Sequence, residues 1–220
     1  MLTKALISFT LAAAMAATAV AQAQSVDDRK KGEFYVGYSN GQVDTGIDSG
    51  NSALDFFRDR ENFNGVNVAG VYNLNRYFGV KGDVSATYNS NDFSGTFPGP
   101  NGNVTLSGEN KISLYNFTGG VQVKDNANEG RFKPFAHALV GVGHIRSKLD
   151  NFSCAGTDCP TFLPPTGTLT DTGFSAILGG GIDFRLNNRI QIRAIQIDYN
   201  PVRVEGATLN NVRIGAGIVF

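Results

Sequence analysis

The sequence has no excess of charge of either sign, because 19 Lys and Arg residues balance 19 Asp and Glu residues in a chain of 220. Electrostatic recognition of nucleic acid needs a clustered basic surface, so we expect no nucleic-acid partner. After residue 23 the sequence also lacks any apolar run that approaches the roughly 20 residues of a membrane-spanning helix. The absence of such a run excludes a helical membrane protein for the remainder of the chain.

Metal-binding residue types are equally scarce, with two cysteines and two histidines, and tryptophan is absent. Cys154 and Cys159 are separated by four residues and have neither a histidine nor another cysteine nearby. A protein zinc site needs more such ligands close together, so we expect no metal and no cofactor. In an exported protein, this spacing instead predicts a small-loop disulfide.

What the sequence does contain begins with a pattern typical of export. Lys4 gives a positive start, residues 5–20 are mostly apolar and rich in alanine, and residues 21–23 (Ala-Gln-Ala) match a cleavage site. A membrane anchor is the alternative interpretation, but the stretch is short and a cleavage site follows it. We predict a signal peptide at residues 1–23, a short charged periplasmic lead at 24–32, and one domain at 33–220.

The rest of the chain alternates apolar and polar residues with the period of a β-strand. In residues 78–89, Phe78 and Val84 share an apolar face, whereas Lys81 and Asp83 lie on the opposite face. Twelve residues make a long strand for a globular sheet but suit a tilted crossing of a bilayer. The pattern therefore predicts strands that cross a membrane.

Seven further stretches show the same alternation, at residues 34–42, 64–74, 111–124, 132–145, 173–186, 189–199 and 207–220. The fifth strand in chain order is largely apolar on both faces, and we place one set of residues outside (Ala136, Ala138, Val140 and Val142) and His137 inside. In the seventh strand, Ile192 and Ile197 have opposite parity. A β-bulge near residues 194–196 would bring both side chains to one face.

The connections between these stretches alternate in length. Those after the second, fourth and sixth strands are short, whereas three others are long and rich in Gly, Asn, Pro and Asp, at residues 43–62, 90–110 and 146–172. The last connection, at 200–206, is of intermediate length. Short turns at one end and long outer loops at the other are typical of outer-membrane proteins. We therefore predict an all-β fold, an eight-stranded antiparallel up-and-down transmembrane β-barrel.

The charged residues at mid-strand indicate which face points inward. An eight-stranded barrel has an interior that side chains just fill, and buried charges are tolerated there only when they are paired. Phe and Tyr recur at the strand ends, as in the aromatic girdles of membrane barrels. We therefore predict a polar network inside the barrel formed by Lys81, Asp83, His137, Asp183, Arg185, Arg193 and Arg213.

Two stretches near the end of the chain resemble a known family. Residues 178–186 (LGGGIDFRL) and 192–199 (IRAIQIDY) are similar to the outer-membrane-protein β-barrel domain family, which is related in shape to small OmpA/OmpX-type barrels. The resemblance implies the outer membrane of a Gram-negative bacterium, with outer-membrane lipid and lipopolysaccharide around the barrel. The final residue, Phe220, closes an alternating strand and resembles the signal that is read by the barrel-assembly machinery, which we therefore expect as a partner.

The sequence favours a role without catalysis. His144 and Ser147 come nearest to a base and a nucleophile, but residues three apart on a strand point to opposite faces. Lipid A deacylases of similar size pair His and Ser two apart. We expect no catalytic residues and a barrel whose long loops serve envelope structure or bind an extracellular ligand.

Three alternatives stay open. One is a narrow channel for small solutes, and another is a lipid-modifying enzyme that depends on His144. The third is a soluble lipocalin-like carrier, although the tryptophan that lipocalins typically show near the first strand is absent. A carrier would hold its apolar face inside the barrel, so the orientation of the two faces separates it from the membrane proteins.

Overall fold

The computed structural model describes residues 30–44, 60–159, 167–204 and 207–220. In these residues eight antiparallel strands form a closed barrel in which each strand pairs with its neighbours in the chain and the last pairs with the first. The strands are β1 (Gly32–Asp44), β2 (Arg60–Asn73), β3 (Phe78–Gly99), β4 (Gly102–Lys124), β5 (Phe132–Ala155), β6 (Thr168–Arg185), β7 (Gln191–Val204) and β8 (Ala207–Val219). The predicted fold class and strand order are confirmed.

The apolar face of the strands points outward. Val84, Phe117 and Ile214 are 45%, 50% and 42% exposed, whereas the side chains of Lys81 and Asp83 are buried inside the barrel. A soluble carrier would require the reverse arrangement, so that alternative is wrong. The outer surface suits contact with lipid, and the interior is polar.

Both irregular strands have the predicted geometry. In β5, His137 is buried inside and the four alternate residues assigned to the outer face are outside (Ala136, Ala138, Val140 and Val142). In β7, Ala194 and Ile195 are consecutive exposed residues, and the register with β8 shifts between Arg193 and Gln196. A bulge at this point restores the alternation on both sides of it.

Four strands are much longer than predicted. The expected loop at 90–110 is a β-hairpin, in which β3 and β4 continue to a turn at Pro100 and Asn101. Much of the expected loop at 146–172 likewise belongs to β5 and β6. Cross-strand contacts between polar side chains support this sheet, as between Thr96 and Thr105 at 3.0 Å and between Ser107 and Ser153 at 2.8 Å. We call the part of β3–β6 beyond the barrel wall the sheet extension, comprising residues 90–110, 146–155 and 168–172.

The remaining connections are described only in part. The predicted loop at 43–62 is shorter at both ends, since β1 runs to Asp44 and β2 starts at Arg60, and residues 45–59 lie outside the described chain. The predicted signal peptide and residues 24–29 of the lead also lie outside it. No helix formed by the described residues is long and apolar enough to span a membrane.

Candidate functional site

The interior of the barrel contains a continuous polar network that starts near the end at which β1 begins and β8 ends. There the Lys124 ammonium donates to both carboxylate oxygens of Glu33 at 3.0 Å and to Asp183 Oδ2 at 2.9 Å. It also donates to Gln191 Oε1 at 3.1 Å. A buried ammonium with two carboxylates and an amide oxygen around it is fully satisfied, because it has three donors.

Arg193 continues the network from Asp183. Its guanidinium donates to Asp183 Oδ1 and Oδ2 at 2.8 and 3.1 Å, which is a bidentate pair, and to Gln196 Oε1 at 2.7 Å. The guanidinium also lies over two rings, 3.9 Å from the centroid of Phe135 and 4.4 Å from that of Tyr35. Arg is suited to this position, because its planar group can bind a carboxylate and stack on aromatic faces at the same time.

Arg213 occupies the centre of the network and bridges two carboxylates. It donates to Asp83 Oδ1 at 2.9 Å and to Asp198 Oδ2 at 2.9 and 2.6 Å. Asp83 also accepts from the Asn67 amide at 2.8 Å and lies 3.4 Å from the Lys81 ammonium. The strands β3, β7 and β8 are therefore joined across the interior by one cation.

His137 connects the two sides of this central cluster. Its Nδ1 lies 3.2 Å from the Lys81 ammonium, and its Nε2 lies 2.9 Å from Asp198 Oδ1. Since an ammonium can only donate, Nδ1 must accept and the ring proton is assigned to Nε2. The neutral tautomer thus fits between a cation and an anion without an added charge.

Six of the seven residues predicted for the interior are buried and in contact within this network, and Arg185 is the exception. Its guanidinium lies at the rim of the barrel, where it donates to the Glu129 carbonyl at 3.3 Å and to Asn188 Oδ1 at 3.0 Å. The prediction for Arg185 is corrected for this reason. β6 ends at this residue, so its side chain reaches the turn instead of the interior.

The sequence prediction also missed several members of the network. The missed residues are Glu33, Lys124, Gln191, Gln196 and Asp198. Three of them lie at the beginning or end of a strand. A residue in such a position has alternating neighbours on one side only, so the sequence pattern indicates its face weakly. Asp198 follows the bulge in β7, and applying the bulge to the face assignment would have placed it inside.

An apolar cluster lies above the network, towards the sheet extension. Val43, Phe63 and Leu114 are buried there against Ile112 and Ile145. Their side chains fill the interior at the end where β1 ends and β2 begins. The described interior is thus filled by ion pairs in the middle and by packed apolar groups beyond them.

The sheet extension carries its own fixed contacts. Cys154, near the end of β5, forms a disulfide with Cys159, which follows the strand. Beside it, Asp158 accepts from the Asn101 backbone N–H at 2.6 Å and from its side-chain amide at 2.7 Å. The tip of the β3–β4 hairpin is therefore held against the β5 turn.

The sequence matches a known protein family over almost its whole length. The family described as outer membrane protein beta-barrel domain matches residues 9–220. The chain belongs to this family. Membership confirms the predicted location in the outer membrane of a Gram-negative bacterium. In outer-membrane barrels the short turns are periplasmic and the long connections are extracellular. The sheet extension of this chain is therefore on the extracellular side.

Three solved structures of outer-membrane and surface proteins match this chain at low sequence identity. Ail of Yersinia pestis, in a structure with the heparin analogue sucrose octasulfate, is 18% identical with a TM-score of 0.49, and the match covers 87% of this chain and 100% of Ail. Neisserial surface protein A is 11% identical with a TM-score of 0.48, covering 88% and 98%. OprG of Pseudomonas aeruginosa is 12% identical with a TM-score of 0.43, covering 87% and 96%. No curated protein sequence matches this family member.

The geometry of this family member keeps His144 and Ser147 apart. His144 faces the outer surface, where its Nδ1 lies 2.7 Å from Thr172 Oγ1 and its ring lies beside Tyr115. Ser147 has the opposite parity and donates to Asn110 Oδ1 at 3.2 Å. These two residues therefore do not form a nucleophile–base pair.

Proposed function

We propose that this barrel is a surface-interaction protein, in which the membrane domain is a rigid support and the sheet extension is the binding surface. The observation that carries the proposal is the length of β3–β6, which continue well past the aromatic residues at the outer rim, Tyr88 and Tyr115. A rigid scaffold that presents a surface to the outside is the usual arrangement for recognition.

Aromatic side chains of the extension support this assignment. Phe93 and Phe97 lie on one face of β3 and are 41% and 57% exposed. Phe93 contacts Phe152 across the sheet, with ring centroids 6.4 Å apart. Exposed aromatic groups on a fixed backbone are typical anchors of interfaces, because they bury a large area at a low cost in conformational entropy.

The filled interior favours the surface-interaction role and argues against a solute channel. The charges of the network are held in pairs, and the apolar cluster of Val43, Phe63 and Leu114 lies across the outer part of the interior. A conducting path would have to break these contacts.

The predicted partners other than an extracellular ligand, namely lipopolysaccharide and the barrel-assembly machinery, stay predictions. The position of Phe220 at the outer surface, paired with Phe34, is compatible with recognition of the strand end.

The test compares the attachment of intact cells to immobilised extracellular-matrix protein and to polystyrene. Cells that express the native barrel should attach several-fold more than cells without it, and the double variant Phe93→Ser/Phe97→Ser should lose this gain. The control Ser94→Ala changes the opposite face of the same strand and should attach like the native barrel. Equal attachment of all strains, at equal surface expression, would refute the proposal.

A further inference from the structure

The periplasmic mouth of the barrel contains a cavity of about 370 Å³. It is lined by the beginning of β1 and β5 and by the turns that follow β4 and β6. The charged side chains around it are Lys30, Glu33, Glu129, Lys133 and Arg185. It lies on the opposite side of the membrane from the sheet extension, so it is independent of the proposed surface role.

Lys133 contributes a cation to the cavity without a direct partner. Its side chain lines the cavity and has no hydrogen bond or ion pair with any described residue, and Glu33 and Asp125 act on it only at longer range. Asp183 lies directly opposite in the β5–β6 register, but both oxygens of that carboxylate are held by Arg193 and Lys124. An ammonium that lines a cavity without a protein partner has its donors free for an anion that enters the cavity, so this position indicates an anion site.

The other groups at the mouth strengthen this indication. Both oxygens of Glu33 are occupied by the Lys124 ammonium, which leaves Glu129 as the carboxylate that could offset Lys30, Lys133 and Arg185. The cavity therefore carries an excess of positive charge.

Asn126 adds a neutral donor to these cations. Asn126 is one of the residues that line the cavity, and its side-chain amide is buried beside it, where neither the nitrogen nor the oxygen has a hydrogen-bond partner among the described residues. A buried amide without a partner costs free energy, which a bound group would recover. The Arg185 guanidinium uses Nη1 and Nη2 for its two bonds to protein oxygens, so its Nε–H stays available.

We propose that this mouth binds a soluble oxyanion from the periplasm, a carboxylate or a phosphate group. The Lys133 ammonium and the Arg185 Nε–H supply charged donors, and the Asn126 amide supplies a neutral one. Oxyanions accept such charge-assisted hydrogen bonds, and the cavity is wide enough to admit a small ion with its hydration shell. The ligand pairs the otherwise unpaired cation and satisfies the amide.

The test is a titration of the ¹⁵N-labelled, folded barrel in neutral maltoside micelles, at constant ionic strength maintained with chloride. Inorganic phosphate and acetate are the two probes. Each should cause saturable shifts in the backbone amide signals of Asn126, Lys133 and Asn188, with no change in the sheet extension. The Lys133→Gln variant should bind at least ~10-fold more weakly, because a hydrogen bond to a charged group is lost.

The matched control is Arg131→Gln, which removes an exposed cation from the same end of the barrel but outside the cavity. This variant should retain native affinity. If Lys133→Gln fails to fold, Asn126→Ala provides the second variant and should weaken binding several-fold. Shifts that never saturate, an equal loss in Arg131→Gln, or a response only to phosphatidylglycerol nanodiscs would each overturn the proposal.

Discussion

At the scale of single residues, the charges of the central polar network are tolerated because each has a partner of opposite sign. Arg213 is the clearest case, since it is buried and donates to Asp83 and Asp198 from different strands. Removing one member of a buried charge group is far more harmful than replacing all of them, because the remaining charges lose their compensation. Stability therefore depends on Arg213 more than on any exposed charge of the described turns.

The variant Arg213→Met tests this dependence. It leaves the carboxylates of Asp83 and Asp198 without their shared cation, and we expect a loss of about 3–5 kcal/mol in the free energy of unfolding. Unfolding in urea can be followed by heat-modifiable gel migration and far-ultraviolet circular dichroism, because the chain has no tryptophan. The control Arg189→Met, at an exposed turn, should change stability by less than about 0.5 kcal/mol.

A second substitution that restores neutrality separates charge compensation from packing. If charge is the cause, adding Asp198→Asn to Arg213→Met, which leaves the buried pair of Lys81 and Asp83 in place, should recover part of the lost stability. A double variant that is less stable than Arg213→Met alone would show that the hydrogen-bond geometry, and not the unpaired charge, dominates.

Interior residues could be predicted where apolar and polar residues alternate over a long stretch. The prediction failed near the strand ends, where few alternating residues are left. Lys81 and Asp83 lie within an unbroken run of period two, so the sequence placed them inside. Lys124 and Arg185 each end a strand, and a terminal side chain can turn either into the interior or towards the rim. The partner atoms decide between these outcomes, and they come from distant parts of the chain.

At the scale of elements, the sheet extension was missed because its cause differs from that of the barrel wall. Inside the membrane, one face meets lipid, so the residue types alternate. Beyond the membrane both faces meet water, and residues 90–110 therefore have the Gly, Asn and Ser content of loops while they are still paired as strands. The hydrophobic period thus reports where the bilayer lies, and it does not report where β-structure ends.

The hairpin tip gives a pH prediction for this element. Hydrogen bonds from the Asn101 backbone N–H, and then from its side chain, hold the pKa of Asp158 below its ordinary value. A lowered pKa means that the stabilising carboxylate contact is complete above the unfolded-state pKa, about 3.9, and is lost as the pH falls through the lower folded-state pKa. Protection of the Asn101 amide from hydrogen exchange should therefore stay constant from pH 7 to about 5 and fall in stronger acid.

The variant Asp158→Asn is the control for that titration. It removes the ionisable group, so the Asn101 amide should be less protected at neutral pH and should show no acid transition of its own. An acid transition with the same midpoint in the variant would assign it to another group, such as Glu109 or Asp150, and would contradict the prediction.

At the scale of the whole molecule, the outer surface has the layers that a bilayer requires. Tyr77 and Phe78 are exposed at the periplasmic end of β3, Tyr88 is exposed near the outer rim, and aliphatic residues lie between them on the same face. Aromatic groups prefer the two interfaces, and aliphatic groups prefer the hydrocarbon. Val84 therefore lies near the middle of the membrane, and Ser90 lies beyond its outer boundary.

Two arginine substitutions on this one face measure the depth of the membrane. Val84→Arg places a charge near the bilayer centre and should lower the free energy of unfolding by about 2–4 kcal/mol, whereas Ser90→Arg should lower it by no more than about 1 kcal/mol. The measurement is reversible urea unfolding from phospholipid vesicles, followed by gel migration. Equal effects of the two substitutions would be incompatible with a lipid-facing wall at Val84. A larger effect at Ser90 would place the hydrocarbon layer higher on the barrel, over the beginning of the sheet extension.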